Sequence, residues 1–438
     1  MNAPWGGDLA QWREAAHAHL NQGELPQAER AFRGVLERAP DDVEALQFLA
    51  RCHHERREWA VALGYLQTAA RLRPSDLDVL QPLGAVQWEI GDFAGVVDTL
   101  RRALQQAPSL FQMRLRLGLA LEQLGRTHEA TAAYFAAVRT AQAQGRWLSD
   151  ETTAPGLRDA VKHAMRYAIV GRRELFQQAL EPLQQRYGAA ELRRVHRCLD
   201  IYLGLQPGSI PDPRQKPKFL YFPDIPSQPY YPRERFPWYE MLESATDEVC
   251  EELHAVLQAE QQLEAFLGET SEAQTQDMLR SSGAQPAAWD AYFFQRHGER
   301  YDGHYQACPR TSSLLDRLPL SRIRDHAPET LFSVLRPGTH ILPHTGVTNT
   351  RLVTHLPLIV PADCALRVGG EVHTWQKGQC VTFDDTFEHE AWNRSGETRV
   401  VLIFDCWNPD LSEAERAAVT DLVAAIGDFN SDCEVSAS

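Results

Sequence analysis

Half of the 16 histidines in this 438-residue chain lie in one stretch of its C-terminal half. They are His297, His304, His326, His340, His344, His355, His373 and His389. A lone histidine is more often a surface or satisfied core residue than a ligand, so a functional site requires several together. Imidazoles with oxygen ligands and open coordination positions are typical of non-haem Fe(II). Zinc is the competing metal, although no third protein ligand is evident at zinc spacing.

A β-hairpin is predicted over residues 382–407, with its turn around Arg394–Gly396. This pairing sets His389 opposite Val401, and strand alternation places Arg399 next along the same face. The histidine and the arginine are therefore expected to lie close together inside the domain.

Arg399 is a single cation at the end of an otherwise apolar strand face, which continues with Val401 and Ile403. A buried arginine requires an anion, which comes either from the protein or from a ligand. Within the protein, Asp384 and Asp385 are the candidate partners of Arg399.

The segment before this hairpin offers further candidate residues. Strand alternation groups three side chains on one face, namely Arg351, Val353 and His355. The loop before this strand, residues 337–349, supplies His340 and His344. Imidazoles gathered beside cations inside a barrel suggest a metal that receives an anionic cosubstrate.

A β-rich domain has to position these residues. Period-two patterns predict strands at Leu331–Arg336, Leu352–Val360, Leu366–Gly369, Cys380–Phe383 and Arg399–Trp407. Many short strands separated by turn residues indicate a sandwich or a barrel. A helical stretch, Trp238–Leu267, precedes the strands, and Ser412 with Glu415 predicts a capping box that opens a helix through Ile426.

The N-terminal half repeats every 34 residues. Four columns share the register of Pro40, Pro74 and Pro108: Gly23, Arg57, Gly91 and Gly125; Ala28, Ala62, Val96 and Ala130; Phe32, Leu66, Leu100 and Tyr134; and Val35, Ala69, Ala103 and Ala137. Each unit predicts two amphipathic helices. The pattern resembles tetratricopeptide repeats over about residues 8–143. Such solenoids usually bind a peptide or a partner protein, and the alternative is an arm that only braces the next domain.

Two further segments connect the repeats to the β-rich domain. Apolar residues at helical spacing predict helices in Leu157–Gly171 and Glu174–Gly204, which are expected to cap the solenoid. Nine prolines between Pro207 and Pro237 exclude helix interior and sheet centre there. That stretch is therefore predicted to be an extended connector whose aromatic residues pack against a surface.

The composition limits the possible partners and the cellular location. A formal net charge of -15 disfavours nucleic acid and anionic membrane surfaces. No apolar run is long enough to span a bilayer, and Met1–Leu20 contains charged residues that a signal peptide lacks. Eight scattered cysteines suit a reducing compartment. We therefore expect a cytoplasmic protein without membrane insertion.

Three segments resemble the aspartyl/asparaginyl β-hydroxylase family: SVLRPGTHILPHTGVTNTRLVTHLPLIVP, GEVHTWQKGQCVTFDDTFEHEAWN and RVVLIFDCWNPDLS. The similarity is strong over about Leu331–Ser412 and reaches back more weakly to about Pro217. The resemblance implies a double-stranded β-helix core and an oxygenase that depends on Fe(II) and 2-oxoglutarate. Several members of this family also carry tetratricopeptide repeats upstream.

The resemblance implies that His344 and His389 bind the iron. Most related oxygenases add a carboxylate two residues after the first histidine, whereas Gly346 occupies that place here, as it does in this family. Two protein ligands, with water in the vacant position, are therefore expected.

The resemblance also assigns the remaining candidates. Arg399 and Ser333 would bind the distal carboxylate of 2-oxoglutarate. His355 would contact the other carboxylate of the cosubstrate, and Arg351 would bind an acidic substrate side chain. Val353 departs from the animal members, which place a second arginine there, so the same aspartate-containing substrates are in doubt.

The expected fold is multidomain, an all-α tetratricopeptide-like solenoid followed by a double-stranded β-helix (jelly-roll) oxygenase domain with flanking helices. The expected limits are 1–143 for the solenoid, 144–206 for its helical cap, 207–237 for the connector and 238–438 for the oxygenase domain. With Fe(II), 2-oxoglutarate and O2, the chain is expected to hydroxylate aspartyl, asparaginyl or other residues of a peptide or protein that the repeats recruit. The alternatives are a hydroxylase of lipid acyl chains or amino acids, and a non-enzymatic repeat scaffold.

Overall fold

The computed structural model describes residues 8–259, 263–268, 272–282 and 285–435. The chain forms two compact units, Met1–Leu175 with Asp428–Ser438, and Phe176–Gly427. The beginning of the segment Met1–Leu20 and residues 260–262 of the predicted helix Trp238–Leu267 lie outside the described residues. The domain limits expected from the sequence stay predictions.

The first unit contains helices that pair in succession along the chain. They are α1 (Leu9–Asn21), α2 (Leu25–Arg38), α3 (Val43–Glu55), α4 (Trp59–Leu72), α5 (Leu77–Glu89), α6 (Phe93–Gln106), α7 (Phe111–Gln123) and α8 (Thr127–Ala143). The glycine column lies at the turn within each pair, where Gly23, Gly91 and Gly125 have φ of 74°, 75° and 69°. Arg57 adopts the same left-handed conformation, with φ of 61°. The repeat prediction is confirmed.

The two helices predicted after the repeats are wrong in their bounds. The chain instead forms α9 (Arg158–Tyr187), which continues through Gly171, and α10 (Arg193–Tyr202). Gly171 does not end the helix, because it serves close packing against α8. A Cβ atom at this position would lie 2.2 Å from Thr131 Oγ1.

Further helices and many strands make up the rest of the described chain. The helices are α11 (Tyr239–Ser244), α12 (Thr246–Gln258), α13 (Glu272–Met278), α14 (Asp302–Ala307), α15 (Pro309–Arg317) and α16 (Glu413–Val435). The strands are β1 (Tyr230–Tyr231), β2 (Glu264–Ala265), β3 (Leu279–Ser281), β4 (Trp289–Arg296), β5 (Glu299–Arg300), β6 (Thr330–Leu335), β7 (Thr339–His344), β8 (Arg351–Ile359), β9 (Cys364–Val368), β10 (Glu371–His373), β11 (Val381–Phe383), β12 (His389–Asn393) and β13 (Arg399–Trp407). The last predicted strand matches β13 in both bounds.

The strands form two antiparallel sheets. The larger sheet has the order β1-β11-β8-β13-β6-β4-β2, with β5 paired to β4, and the smaller has the order β10-β9-β12-β7-β3. Apolar side chains of both sheets form one shared core cluster, which includes Leu335 and Val401 of the larger sheet and Ile341 and Leu366 of the smaller. The opposite face of the larger sheet packs on α11, α12 and α15. Burial on both faces explains why β6 has no exposed position.

Two sequence predictions about this region are wrong. Residues 337–349 are not only loop, because they contain strand β7. The predicted hairpin does not form, because β12 pairs with β7 and β9 while β13 pairs with β6 and β8. The connection between β12 and β13 therefore crosses from one sheet to the other. Asn393 fixes this crossing by donating from Nδ2 to the carbonyl oxygens of Leu335 (3.0 Å) and Glu397 (2.8 Å).

The proline-rich stretch packs against the β-rich unit, as expected. Gln215 donates from Nε2 to Asp384 Oδ2 at 2.8 Å, and the backbone of Phe222 exchanges two hydrogen bonds with the Asn349 side chain. The capping box of Ser412 and Glu415 is also present, although α16 continues past the predicted end at Ile426. No helix in the described ranges is both long and apolar enough to cross a bilayer.

Candidate active site

His344 and His389 are direct cross-strand neighbours in the smaller sheet, where β7 and β12 pair. Their ring centroids are 4.1 Å apart. Each ring is held in the same way, with Nδ1 close to the carbonyl oxygen two residues earlier. His344 Nδ1 lies 2.8 Å from Leu342 O, and His389 Nδ1 lies 3.0 Å from Phe387 O. These contacts assign the proton to Nδ1 and leave the Nε2 lone pair of each ring available.

Burial keeps both imidazoles neutral. It lowers the pKa of His344, and burial together with neighbouring His344 lowers the pKa of His389 to about 4. A metal binds the neutral form of imidazole, so at neutral pH neither ring must lose a proton first. The bulge that shifts the register just after His389 lies directly at this pair.

In the part of the chain that the structure describes, no third candidate ligand joins the two histidines. Among the described residues, no group of three His, Cys, Asp or Glu side chains is placed to hold a metal ion. Gly346 has no room for a carboxylate, because its Cβ would lie 2.1 Å from the carboxyl carbon of Asp385. The residues present therefore fit a metal with two imidazole ligands and open positions.

Arg399 lies opposite the histidines, on the inner face of the larger sheet. Its side chain is 1% exposed, and neither Nε nor Nη1 has a hydrogen-bond partner among the described residues. Burial lowers the pKa of Arg399 to about 10. The guanidinium lies 4.9 Å from the centre of the Trp375 ring, which does not supply the missing anion.

The carboxylates that the sequence offered to Arg399 are engaged elsewhere. Asp384 accepts hydrogen bonds from Gln215 and from the hydroxyl and backbone amide of Thr386. Asp385 lies 3.3 Å from Arg351. Among the described residues, the alternative of a protein partner for Arg399 is therefore not realised, and the other alternative, a ligand as the anion, stays a prediction.

Ser333 and His355 line the same cavity as Arg399, which has a volume of about 230 Å³. Ser333 Oγ accepts a hydrogen bond of 2.9 Å from Trp289 Nε1, so its own proton is directed elsewhere. His355 Nδ1 is buried without a partner among the described residues. Burial and nearby Arg399 hold the pKa of His355 well below its usual range, so this imidazole is neutral.

Arg351 lines the cavity as well, but in different surroundings. Its Nη1 lies 2.9 Å from Asp405 Oδ1 and 3.3 Å from Asp385 Oδ2. Although burial opposes the charged form, these two carboxylates raise the pKa of Arg351 above its ordinary value. Glu329 is a third carboxylate on the wall of this part of the cavity.

The alternation argument correctly grouped Arg351, Val353 and His355, which all line the cavity. His340 points away from the site and contacts Glu390 Oε2 at 2.6 Å. Sequence reasoning missed Trp289 because it did not predict β4, although the aromatic run WDAYFFQR was the available signal. It also missed the acidic wall, since no local pattern links Glu329 to Asp405.

Both halves of the chain match known protein families. Residues 243–409 match the Aspartyl/Asparaginyl beta-hydroxylase family, and residues 13–76 and 83–146 match the Tetratricopeptide repeat family. Aspartate beta-hydroxylase domain-containing protein 2 of Rattus norvegicus is 31% identical over 255 residues, which cover 57% of this chain and 70% of the rat protein.

Two further relatives differ in their stated activities. Aspartyl/asparaginyl beta-hydroxylase of Homo sapiens is 35% identical over 132 residues, which are 30% of this chain and 17% of the human protein. Ornithine lipid ester-linked acyl 2-hydroxylase of Rhizobium tropici is 31% identical over 198 residues, 44% of this chain and 66% of that protein. The chain thus spans between 17% and 70% of the lengths of these three relatives.

These relatives are hydroxylases or carry the hydroxylase domain in their names, which indicates an enzyme of the β-hydroxylase type. With tetratricopeptide repeats in its N-terminal half and the hydroxylase domain in its C-terminal half, the chain belongs to the aspartyl/asparaginyl β-hydroxylase family.

Proposed function

We propose that this protein is an Fe(II)- and 2-oxoglutarate-dependent hydroxylase. One observation carries the proposal: a pair of neutral imidazoles shares a cavity with a buried arginine that has no anionic partner among the described residues. The imidazoles suit a divalent metal, and the arginine suits a dianionic cosubstrate. The arginine does not stabilise the fold by itself, because an unpaired buried charge costs free energy.

The proposed metal ligands are the Nε2 atoms of His344 and His389. Their Nδ1 contacts with backbone carbonyls fix the ring orientation before the metal arrives. Bound Fe(II), together with 2-oxoglutarate and O2, would supply the oxidant that attacks an unactivated C–H bond. Water is proposed to fill the coordination position for which Gly346 supplies no ligand.

Arg399 and Ser333 are proposed to bind the distal carboxylate of 2-oxoglutarate. A guanidinium matches a carboxylate in geometry, and Nε and Nη1 of Arg399 have no acceptor among the described residues and can donate to a ligand. The Trp289 N–H donates to Ser333 and so frees the serine proton for the ligand. His355 is proposed to contact the other carboxylate near the metal.

The arrangement of the sheets supports the double-stranded β-helix proposal. The histidines lie on the smaller sheet, and Arg399 lies on the larger one, with the cavity lined by both. Apolar side chains such as Leu331, Val353 and Ile403 line the cavity between the polar groups. They would exclude water from the reacting centre.

The proposed substrate is a residue of a peptide or protein, aspartyl, asparaginyl or other, recruited by the repeats. Solenoids of this kind present a surface for peptides and partner proteins. A second candidate is a lipid acyl chain, because the Rhizobium tropici relative is named as an acyl hydroxylase. An inactive scaffold is the third reading, and the test below separates it from the others.

The test measures binding of 2-oxoglutarate to the full chain with and without Mn(II), a stand-in for Fe(II), and succinate formation with Fe(II), ascorbate and oxygen. His389→Ala should abolish the metal-dependent binding. His340→Ala is the matched control, since His340 lies on the same pair of strands but contacts Glu390 outside the site. Binding that needs no metal, or that survives in His389→Ala, would contradict the proposal.

A further inference from the structure

We propose that the acidic end of the cavity, formed by Glu329, Asp385 and Asp405 around Arg351, binds a substrate that carries a cationic group, an amine or a guanidinium. This inference rests on the proposed function, because it names the substrate class of the same cavity. The family resemblance implied an acidic substrate group at Arg351, whereas this inference assigns a basic substrate group to the same end of the cavity.

The charges that line this end do not cancel. Three carboxylates and one guanidinium face the cavity there, so the described residues leave an excess of negative charge. Arg351 contacts Asp405 and Asp385 through a single nitrogen, Nη1. An acidic substrate group that approached Arg351 would meet all three carboxylates at close range, in a cavity that screens charge poorly.

Asp385 supplies the second observation, because one of its oxygens has no partner. The side chain is 6% exposed and lines the cavity, and Oδ1 accepts no hydrogen bond from any described residue. An unsatisfied buried acceptor costs free energy, and it costs more when the group is charged. A neutral N–H donor on a ligand would offset part of that cost, and a cationic donor would offset most of it.

Glu329 lies beside an imidazole that does not balance its charge. Its Oε1 accepts from the His297 backbone N–H at 2.8 Å and lies 3.0 Å from His297 Nδ1. Burial and neighbouring Arg296 lower the pKa of His297, so its ring is neutral and does not balance the carboxylate. Burial and Asp405 raise the pKa of Glu329 to about 7, although Arg296 and Arg351 oppose this shift. A bound cation would favour the ionised form.

The chain does not place another cation beside this end from the neighbouring strand. Val353 pairs with Asp405 in the register of β8 and β13, and its apolar side chain lines the cavity. A cationic side chain at this position would have balanced Asp405. The valine instead leaves space in the cavity and does not balance the charge of Asp405, which a cationic group of the substrate would balance.

The two ends of the cavity are far enough apart to hold two different ligands. Asp405 follows Arg399 by six residues on β13, which corresponds to about 20 Å along the strand. Asp385 acts electrostatically on both His344 and His389, so the acidic end adjoins the histidine pair. The carbon that is hydroxylated would therefore lie a few bonds from the cationic group.

The test uses three probes of similar length and different charge: Nα-acetyl-lysine amide, Nα-acetyl-glutamine amide and Nα-acetyl-glutamate amide. Their dissociation constants are measured on the full chain loaded with Mn(II) and 2-oxoglutarate. We expect the lysine probe to bind at least about 10-fold more tightly than the glutamine probe, with the glutamate probe weakest. A preference for the glutamate probe, equal binding of all three, or no binding of any probe overturns the inference.

Two variants connect the preference to this end of the cavity. Glu329→Gln should reduce the preference for the lysine probe over the glutamine probe to about 3-fold or less. Glu299→Gln is the matched control, since Glu299 is an exposed carboxylate on β5 and should leave the preference unchanged. A preference that Glu329→Gln does not alter also overturns the inference. Binding of 2-oxoglutarate, read in the same samples, tests the proposed function separately and is expected in all of them.

Discussion

Two arginines on the larger sheet, Arg399 buried and Arg351 partly buried, line one cavity and have opposite surroundings. Arg351 is held by Asp405 and Asp385, whereas Arg399 has no ion-pair partner among the described residues. Burial lowers the pKa of Arg399 to about 10, while the two carboxylates raise the pKa of Arg351 in spite of burial. The same residue type is thus part of a charge network at one end and a cation without an ion-pair partner among the described residues at the other.

The difference shows that burial alone does not identify a binding residue. What distinguishes the two arginines is whether the protein itself supplies the counterion. A fold tolerates an unpaired buried cation only at a cost, which a ligand can offset. The unmatched charges, a cation at one end and carboxylates at the other, therefore indicate what each end binds.

Arg351→Met should have the largest effect on stability. Removal of the guanidinium leaves Asp405 and Asp385 buried without their cation, which typically costs about 3–5 kcal/mol. Urea unfolding of the variant should show this loss in the free energy of unfolding. If the loss were below about 1 kcal/mol, Arg351 would not be a structural partner of these carboxylates.

Arg399→Met is the corresponding substitution of the arginine that has no ion-pair partner among the described residues. It should leave the free energy of unfolding unchanged or higher, because it removes an unpaired buried charge. Binding of 2-oxoglutarate should weaken about 100-fold, which corresponds to about 2.7 kcal/mol. Calorimetry on the Mn(II)-loaded variant measures the affinity, and urea unfolding measures the stability. A destabilised variant that still bound 2-oxoglutarate would reverse the roles assigned to the two arginines.

Glu329→Gln should have a smaller effect that depends on pH. The carboxyl of Glu329 has a pKa of about 7 in the folded chain, whereas its ordinary pKa is 4.5. Between pH 4.5 and about pH 7, the folded chain therefore keeps a proton on Glu329 that the unfolded chain has lost. Its contribution to stability is therefore present below about pH 4.5 and is lost as the pH rises through about 7, by about 1–3 kcal/mol.

The glutamine variant lacks this titration, so its stability relative to the unaltered chain should increase from about pH 4.5 to about pH 8. Urea unfolding at several pH values gives the difference directly, since the other carboxyls titrate in both proteins. A constant difference across this range would show that Glu329 is not perturbed in the fold.

Local sequence patterns predicted the features that depend on neighbours along the chain. The prediction from the repeat columns is confirmed because each column position has the same environment every 34 residues. The left-handed conformations of Gly23 and Arg57, which occupy one column, are an example. The predicted grouping of Arg351, Val353 and His355 on one face of β8 is confirmed, because strand alternation alone places these side chains together.

Features that depend on distant pairing were not predicted. Alternation cannot distinguish a hairpin from a crossing between sheets, so β12 and β13 were wrongly paired although His389 and Arg399 do face one cavity. The acidic end joins Glu329 to Asp405, which are 76 residues apart, through a hydrogen bond of 3.0 Å that the Glu329 backbone N–H donates to Asp405 Oδ2. No sequence spacing signals such a contact.

The tight fit between Gly346 and Asp385 couples two positions in the evolution of this chain. An aspartate at position 346, where related oxygenases carry their third ligand, would collide with the carboxyl of Asp385. Loss of Asp385 first would deprive Arg351 of one of its two carboxylates. Each single step is therefore disfavoured, so a lineage with this pair would need both changes together to place a carboxylate at position 346.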